Sequence, residues 1–99
     1  MRVIAVRPLR EFWRRPGRGD AEQPLRAWFR EAKRAHWRSP VEIKNDYASA
    51  SIIGGNRVVF NIAGNKFRLV VKINYPHGVV YVRFIGTYRE YDRINAETV

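Results

Sequence analysis

The regular alternation of apolar and polar residues between Arg57 and Asp92 constrains the fold of this chain most strongly. Three runs alternate with a period of two, which is the pattern of β-strands that bury one face. The apolar positions, run by run, are Val58, Phe60 and Ile62, then Phe67, Leu69, Val71 and Ile73, then Val80, Val82 and Phe84. The opposite positions include Arg57, Asn61, Lys66, Arg68, Lys72, Tyr81 and Arg83. The pattern predicts a sheet with one apolar face and one cationic face.

Turn residues separate the three runs. Gly64-Asn65 follows the first run and Pro76-His77-Gly78 follows the second, and both combinations are typical of tight hairpin connections. The three strands should therefore form an antiparallel meander.

Helices are predicted before this meander. A short β-prone segment, Arg2 to Val6, precedes a helix whose first turn contains Pro8 and whose apolar stripe is Leu9, Phe12 and Trp13. Asp20 is the predicted N-cap of a second helix with the stripe Leu25, Trp28, Phe29 and Ala32. Ser39-Pro40 ends it, because the residue before a proline disfavours the α conformation. Residues 40 to 56 are expected to form a loop with at most one short strand or turn.

These elements predict an α+β fold of two layers in a single domain, residues 1–99. The order is a short N-terminal strand, two helices, a three-stranded antiparallel meander and a short C-terminal helix from Tyr88. The helices should cover the apolar face of the sheet. The cationic face would then remain uncovered and is the expected functional face.

The charge of the chain indicates an anionic partner. Nineteen Lys and Arg residues against nine Asp and Glu give a net charge of +10, and the pI is near 10.9. Such a charge favours association with nucleic acid, although an acidic protein would also satisfy it. No helical stripe is broad enough for a membrane surface, and no apolar run is long enough to span a bilayer. With no signal peptide pattern, the expected location is the cytoplasm.

Four phrases resemble the HigB family of bacterial toxins, which belongs to the wider RelE-like group. They are Leu9-Arg10-Glu11-Phe12-Trp13; Ala27-Trp28-Phe29 with His36-Trp37; the hairpin from Val59 to Leu69; and Tyr81-Val82-Arg83-Phe84-Ile85-Gly86-Thr87 leading into Glu90-Tyr91-Asp92. The resemblance implies a RelE-like two-layer fold and an endoribonuclease that cleaves messenger RNA in the ribosomal A site, beside the 16S ribosomal RNA. It also implies neutralisation by a HigA-like antitoxin with a helix-turn-helix domain, through which the complex would contact operator DNA.

The chain departs from the family pattern at one position. The family usually reads Thr-His-x-Glu-Tyr-Asp after the last strand, whereas this chain reads Thr87-Tyr88-Arg89-Glu90-Tyr91-Asp92. Tyrosine therefore stands where the proposed acid-base histidine belongs. The open alternatives are a weakened homologue that binds RNA, ribosome or antitoxin without cutting, and a toxin that acts on DNA gyrase, like the related ParE-like toxins.

The implied reaction determines which residues are candidates for the site. Attack of a ribose 2′-hydroxyl on phosphorus requires a base, cations for the phosphorane and an acid for the leaving oxygen. It requires no metal or cofactor, and the two histidines, with no Asp/His cluster, suggest no metal-ligand set. The catalytic candidates are Arg68, Lys66, Tyr88, Tyr91 and Asp92, and the candidate RNA contacts are Arg57, Asn61, Lys72, Arg83 and Arg89.

Some of these side chains also have structural interpretations. Tyr91 could pack beneath the terminal helix, and Glu90 is expected to pair with Arg89 or Arg93. His36 fits a core or rim position at its helical spacing, whereas His77 lies in a turn and should be exposed. The three tryptophans follow helical stripes and should fill the core.

Overall fold

Five strands and four α-helices make up the chain, and the computed structural model describes every residue from Met1 to Val99. The strands are β1 (Arg2–Ile4), β2 (Ser51–Ile53), β3 (Arg57–Ile62), β4 (Phe67–Asn74) and β5 (Val79–Thr87). The helices are α1 (Arg7–Trp13), α2 (Glu22–Arg34), α3 (Pro40–Asp46) and α4 (Tyr88–Tyr91), and a short 3-10 turn (Gly19–Ala21) precedes α2.

All five strands belong to one mixed sheet with the order β1-β5-β4-β3-β2. Strands β2 to β5 form an antiparallel meander, and β1 pairs in parallel with β5. The α+β class is confirmed, but the expected three-stranded sheet is wrong. Both additional members are edge strands of three residues. One is β1, the short N-terminal strand that was expected, and the other is β2, which lies in the segment where at most one short strand or turn was expected.

The core lies between the helices and one face of the sheet. Eighteen buried residues form a single cluster to which α1, α2, α3 and strands β3 to β5 all contribute. Trp13, Trp28 and Trp37 are 7%, 2% and 3% exposed, as predicted, but Trp37 lies between α2 and α3 and not on a helical stripe. The ring of Trp28 packs edge-on against Phe60, with 5.5 Å between the ring centroids. Such aromatic contacts contribute to stability beyond the area that they bury.

The segment between α2 and β3 is more ordered than the expected loop. It contains α3, which begins at Pro40 and buries Ile43, and then the edge strand β2. The indole nitrogen of Trp37 donates to the Asp46 carboxylate at 2.9 Å, which fastens the end of α3 to the core. A seven-residue helix with one buried side chain shows too little periodicity to be predicted from sequence.

A β-bulge reverses the side-chain pattern in the second half of β5. Val70 pairs with Phe84 and Val71 pairs with Val82, so Arg83 is the extra residue. From this position onward each β5 side chain points to the opposite face from the one that simple alternation predicts. Phe84 therefore lies on the outer face, away from the core cluster, and Ile85 packs against that cluster. The assignment of Phe84 to the covered face was wrong.

The outer face is partly occupied by the C-terminal segment. The main-chain carbonyl of Val99 accepts from Nε and Nη2 of Arg57 on β3, at 3.1 and 2.7 Å, and from Nε of Arg83 on β5, at 3.1 Å. Because β4 lies between those two strands, Val99 sits above it. The expectation that this face is uncovered is corrected, since Arg57 is only 9% exposed.

Gly86 is expected to tolerate no side chain. A Cβ built there would lie 2.6 Å from the Phe84 ring and 3.0 Å from a Glu90 carboxylate oxygen. Gly86→Ala should lower the free energy of unfolding by about 1–3 kcal/mol, the usual cost of overpacking. Urea unfolding measures the change, and Gly19→Ala, where no atom lies within 4 Å, is the control. Equal unfolding midpoints for the two variants would contradict the prediction.

Candidate functional site

Helix α4 fixes the orientation of the residues that follow β5. Thr87 and Glu90 form a reciprocal capping box, in which the Thr87 amide donates to the Glu90 carboxylate at 2.8 Å and the Glu90 amide donates to the Thr87 hydroxyl at 3.1 Å. The hydrogen bond from the Thr87 amide lowers the pKa of Glu90, and the hydroxyl of Thr87 with the nearby charges of Arg18 and Arg15 act in the same direction. Glu90 is thus an ionised structural carboxylate.

The partner of Glu90 differs from the expected one. Its carboxylate lies 4.0 Å from Nη2 of Arg18 and forms no ion pair with Arg89 or Arg93. Glu90 was expected to pair within α4, but it connects α4 to Arg18 in the segment between α1 and α2.

A cleft of about 360 Å³ lies beside the start of α4. Residues from three parts of the chain meet in it, namely the segment before α2, the beginning of β4 and the end of β5 with α4. Its lining residues are Gly17, Arg18, Asp20, Lys66, Phe67, Thr87, Tyr88 and Arg89. Three of these side chains are cationic and one is acidic, so the cleft has an excess of positive charge.

Lys66 lines the cleft from the turn that precedes β4. Its main-chain carbonyl accepts from the Tyr88 amide at 3.2 Å, which holds α4 against the turn. Its ammonium group pairs with the Asp20 carboxylate. The hydrogen bond from Lys66 lowers the pKa of Asp20 below its ordinary value. Asp20 was expected to cap α2, but its side chain makes no capping hydrogen bond there.

Tyr88 presents its side chain to solvent at the cleft. It is 46% exposed, and the guanidinium of Arg89 lies 5.8 Å from the centroid of its ring. The phenol is therefore accessible to a ligand that occupies the cleft. Tyr91 is half-buried but does not belong to the core cluster, and Asp92 is exposed and forms no ion pair.

Arg68 lies apart from Lys66. It sits on β4 opposite Asn61 and Gly86, and its Nη1 donates to the carbonyls of Asn65 and Phe67 at 2.9 and 3.3 Å. It is half-buried and does not line the cleft. The structure thus gathers Lys66, Tyr88 and Arg89 in one place and leaves Arg68 on the adjoining outer face of the sheet.

The remaining candidate RNA contacts are distributed over the outer face. Arg57 and Arg83 donate to the carbonyl of Val99, and Arg57 also donates to the carbonyl of Gly55. The amide nitrogen of Asn61 is 3.5 Å from the carbonyl of Ser49, and Lys72 is exposed. Among these four residues, the guanidinium of Arg57 is the least accessible to a phosphate.

Two residues of the cleft, Arg18 and Asp20, were not among the candidates from the sequence. Arg18 lies between Gly17 and Gly19, just after Pro16. This turn composition is the only local signal that Arg18 lies outside the helices. Its guanidinium lies 5.8 Å from the centroid of the Phe12 ring. Because Asp20 meets Lys66 only through the tertiary fold, no sequence pattern indicates their pairing.

The two histidines lie near each other despite their separation in sequence. His36 and His77 both line a shallow cavity of about 280 Å³, and both are exposed. The expected core or rim position of His36 is therefore wrong. No group of three or more His, Cys, Asp or Glu residues lies close enough to hold a metal ion. No helix has the length and apolar character needed to cross a membrane.

The sequence profile of the HigB toxin family, described as the RelE-like toxic component of a toxin-antitoxin system, matches residues 21–94. The matched region covers well over half of the chain and contains β2 to β5, Lys66 and all of α4. No curated protein matches the chain significantly. This chain therefore belongs to the HigB family of RelE-like toxins of toxin-antitoxin systems.

Proposed function

We propose that this toxin is a metal-independent endoribonuclease that cleaves messenger RNA on the translating ribosome. Membership of a RelE-like toxin family supports an action on RNA. The net charge of +10 supports a polyanionic target, because each neutralised phosphate releases condensed counterions. The action would take place in the cytoplasm, where translating ribosomes are found.

The observation that carries the proposal is the cationic cleft with an exposed phenol at its side. Lys66 and Arg89 provide charges that can bind a phosphodiester and stabilise the additional negative charge of a phosphorane. Tyr88 provides an accessible O–H group next to them. A bound phosphate would thus meet both cations and a proton donor at one place.

The proposed reaction forms a bond between the ribose 2′-oxygen and phosphorus and breaks the bond from phosphorus to the 5′-oxygen. The products are a 2′,3′-cyclic phosphate and a 5′-hydroxyl, and no metal enters the balance. Tyr88 is the proposed donor of the proton that the leaving 5′-oxygen takes up. Asp92 is the proposed acceptor of the 2′-hydroxyl proton, and Tyr91, one residue earlier, would orient the substrate.

Arg68 is proposed to bind the RNA backbone beside the cleft, with Lys72 and Arg83 extending the contact along the outer face. Arg68→Ala is expected to lower cleavage by about 10²-fold or more and so to abolish growth arrest, because the RNA backbone loses a contact that positions it for the reaction in the cleft. Primer extension on messenger RNA from expressing cells measures the cleavage. Arg14→Ala is the control, since Arg14 is exposed and forms no ion pair. A folded Arg68→Ala protein that still arrests growth would exclude Arg68 from the mechanism.

The same cells distinguish the alternative functions. Cleavage within translated frames, with loss of protein synthesis, supports the ribosome-dependent nuclease. Growth arrest through blocked DNA replication would instead indicate a toxin that acts on gyrase. One observation, tyrosine at position 88, favours a second candidate, a homologue that binds RNA or ribosome without cutting. Intact messenger RNA in the presence of the wild-type protein would support that candidate.

The family also implies an antitoxin as partner. A HigA-like protein with a helix-turn-helix domain is the proposed partner, and contact with operator DNA would occur only through that protein. A groove of about 240 Å³ between α1 and α2 offers a surface of suitable charge for an acidic partner, since it is lined by Arg10, Arg26 and Arg30 over Trp13 and Phe29. Charge complementarity of this kind favours fast association.

A further inference from the structure

The cleft contains an arginine, Arg18, that has no role in the proposed reaction. Arg18 is supplied by the segment between α1 and α2, whereas the other cations of the cleft come from the sheet side. The side chain is 31% exposed, and its guanidinium rests near the ring of Phe12. Arg18 thus lines the cleft with a side chain that is partly exposed.

The internal partners of Arg18 do not satisfy its hydrogen bonds. Its Nε is buried and donates to no protein group, and Nη2 lies 4.0 Å from Glu90, at the outer limit of an ion pair. A guanidinium forms its strongest contacts with planar carboxylates or phosphates that accept two hydrogen bonds at once. Nε is too buried to reach a ligand, whereas the two Nη groups form no hydrogen bond with the protein and are the donors that Arg18 retains for an anionic ligand in the cleft.

Asp20 places an anion inside the same cleft. Its carboxylate pairs with the ammonium group of Lys66 and also feels the charge of Arg18. A carboxylate and a phosphate use the same kind of acceptor oxygen for such cations. Asp20 thus occupies, in the free protein, one of the contacts that a phosphate would make with Lys66.

We propose that Arg18 is a phosphate-binding residue of the cleft and that Asp20 is an internal competitor, which a phosphodiester of the RNA displaces from Lys66. The proposal rests on the proposed function, because it takes the bound anion to be the RNA backbone. The family match begins at residue 21, so both side chains lie outside the matched region. They are features of this chain that the family assignment does not supply.

The test uses a short 2′-O-methyl RNA oligonucleotide, which cannot be cleaved, and measures its binding to purified protein by fluorescence anisotropy. Arg18→Gln should weaken binding about 10-fold, because it removes a charge-assisted contact. It should also reduce the slope of log K against log salt by about 0.7, the value for one phosphate contact on a single strand. Asp20→Asn should tighten binding several-fold, because Lys66 then has no competing carboxylate.

Matched variants separate these effects from a change in net charge. Arg14→Gln is the control for Arg18→Gln, because it removes one positive charge from an exposed arginine outside the cleft. Glu11→Gln is the control for Asp20→Asn, because it removes one negative charge from a carboxylate that also forms an ion pair, in this case with Arg7. If Arg18→Gln binds as Arg14→Gln does, Arg18 is not a phosphate ligand. If Asp20→Asn binds as Glu11→Gln does, Asp20 is not a competitor.

Arg18→Lys provides a further check in case the glutamine variant unfolds. It retains the charge but cannot form the bidentate contact, so binding should still weaken, and affinity equal to that of the wild type would overturn the proposal. The proposed function fails separately. If the variants show the expected binding pattern but the wild-type protein leaves messenger RNA uncut in cells, the phosphate site is supported and the nuclease function is contradicted.

Discussion

Tyr88→His is expected to raise the rate of messenger RNA cleavage by about 10²- to 10⁴-fold, the range that a positioned general acid or base contributes. In water an imidazole titrates near pH 6.5 and a phenol near pH 10, so an imidazole exchanges protons far more readily at neutral pH. The new side chain would occupy an exposed position beside Lys66 and Arg89. Primer extension under matched expression, with the ribosome present, measures the change.

Tyr88→Phe is the control for this variant. It keeps the aromatic ring and its contact with Arg89 and removes only the hydroxyl. If Tyr88 donates the proton, the phenylalanine variant should cut more slowly than the wild type. A histidine variant that is no faster than a cleaving wild-type protein would show that position 88 does not limit proton transfer.

Trp28→Ala is expected to cost about 3–5 kcal/mol of the free energy of unfolding, the usual range for truncating a buried aromatic side chain. The side chain is 2% exposed and packs against Phe60. Its indole nitrogen has no hydrogen-bond partner, so the loss comes from packing and from the cavity that remains. Such a loss is a large part of the 5–15 kcal/mol that usually stabilises a domain.

Two further variants test the origin of this effect. Trp28→Phe should cost much less, because it keeps most of the ring and removes the unpaired N–H group. Val41→Ala, at a position that is 67% exposed, should change stability by less than about 0.5 kcal/mol. Urea unfolding with a constant m-value gives all three differences. A Trp28→Ala midpoint within error of Val41→Ala would show that Trp28 does not hold the core.

The accuracy of the sequence-based prediction follows the number of apolar positions that each element repeats. The strands β3 to β5 and the helices α1 and α2 were predicted, because each repeats its pattern often enough to be recognised. The predicted end of α2 was wrong, since the helix ends at Arg34 and not at Ser39-Pro40. The helix α3 was missed although it is as long as α1, because it buries only Ile43 and so shows no apolar stripe, whereas β2 falls where one short strand or turn was allowed for. The bulge at Arg83 was also missed, since it depends on how β5 pairs with β4 and not on β5 alone.

The candidate site was predicted in part. Sequence reasoning identified Lys66, Tyr88 and Arg89, which the fold brings into one cleft. It missed Arg18 and Asp20, because only the tertiary fold brings them close to Lys66. Asp20, which pairs with Lys66, lies 46 residues before it in the sequence. It also treated Arg57 as a free cation, although the carbonyl of Val99 engages its guanidinium.

The sequence by itself determined the two-layer α+β class, the strong positive charge and the resemblance to RelE-like toxins, since composition and local periodicity are properties of the chain alone. Only the tertiary structure decided which cations share a cleft, that Asp20 pairs with Lys66, that Arg57 and Arg83 donate to the Val99 carbonyl, and which face Phe84 occupies. Those features depend on distances between segments remote in sequence. The cationic face that alternation predicts is thus divided by the fold into an accessible cleft at Tyr88 and a region partly engaged by Val99.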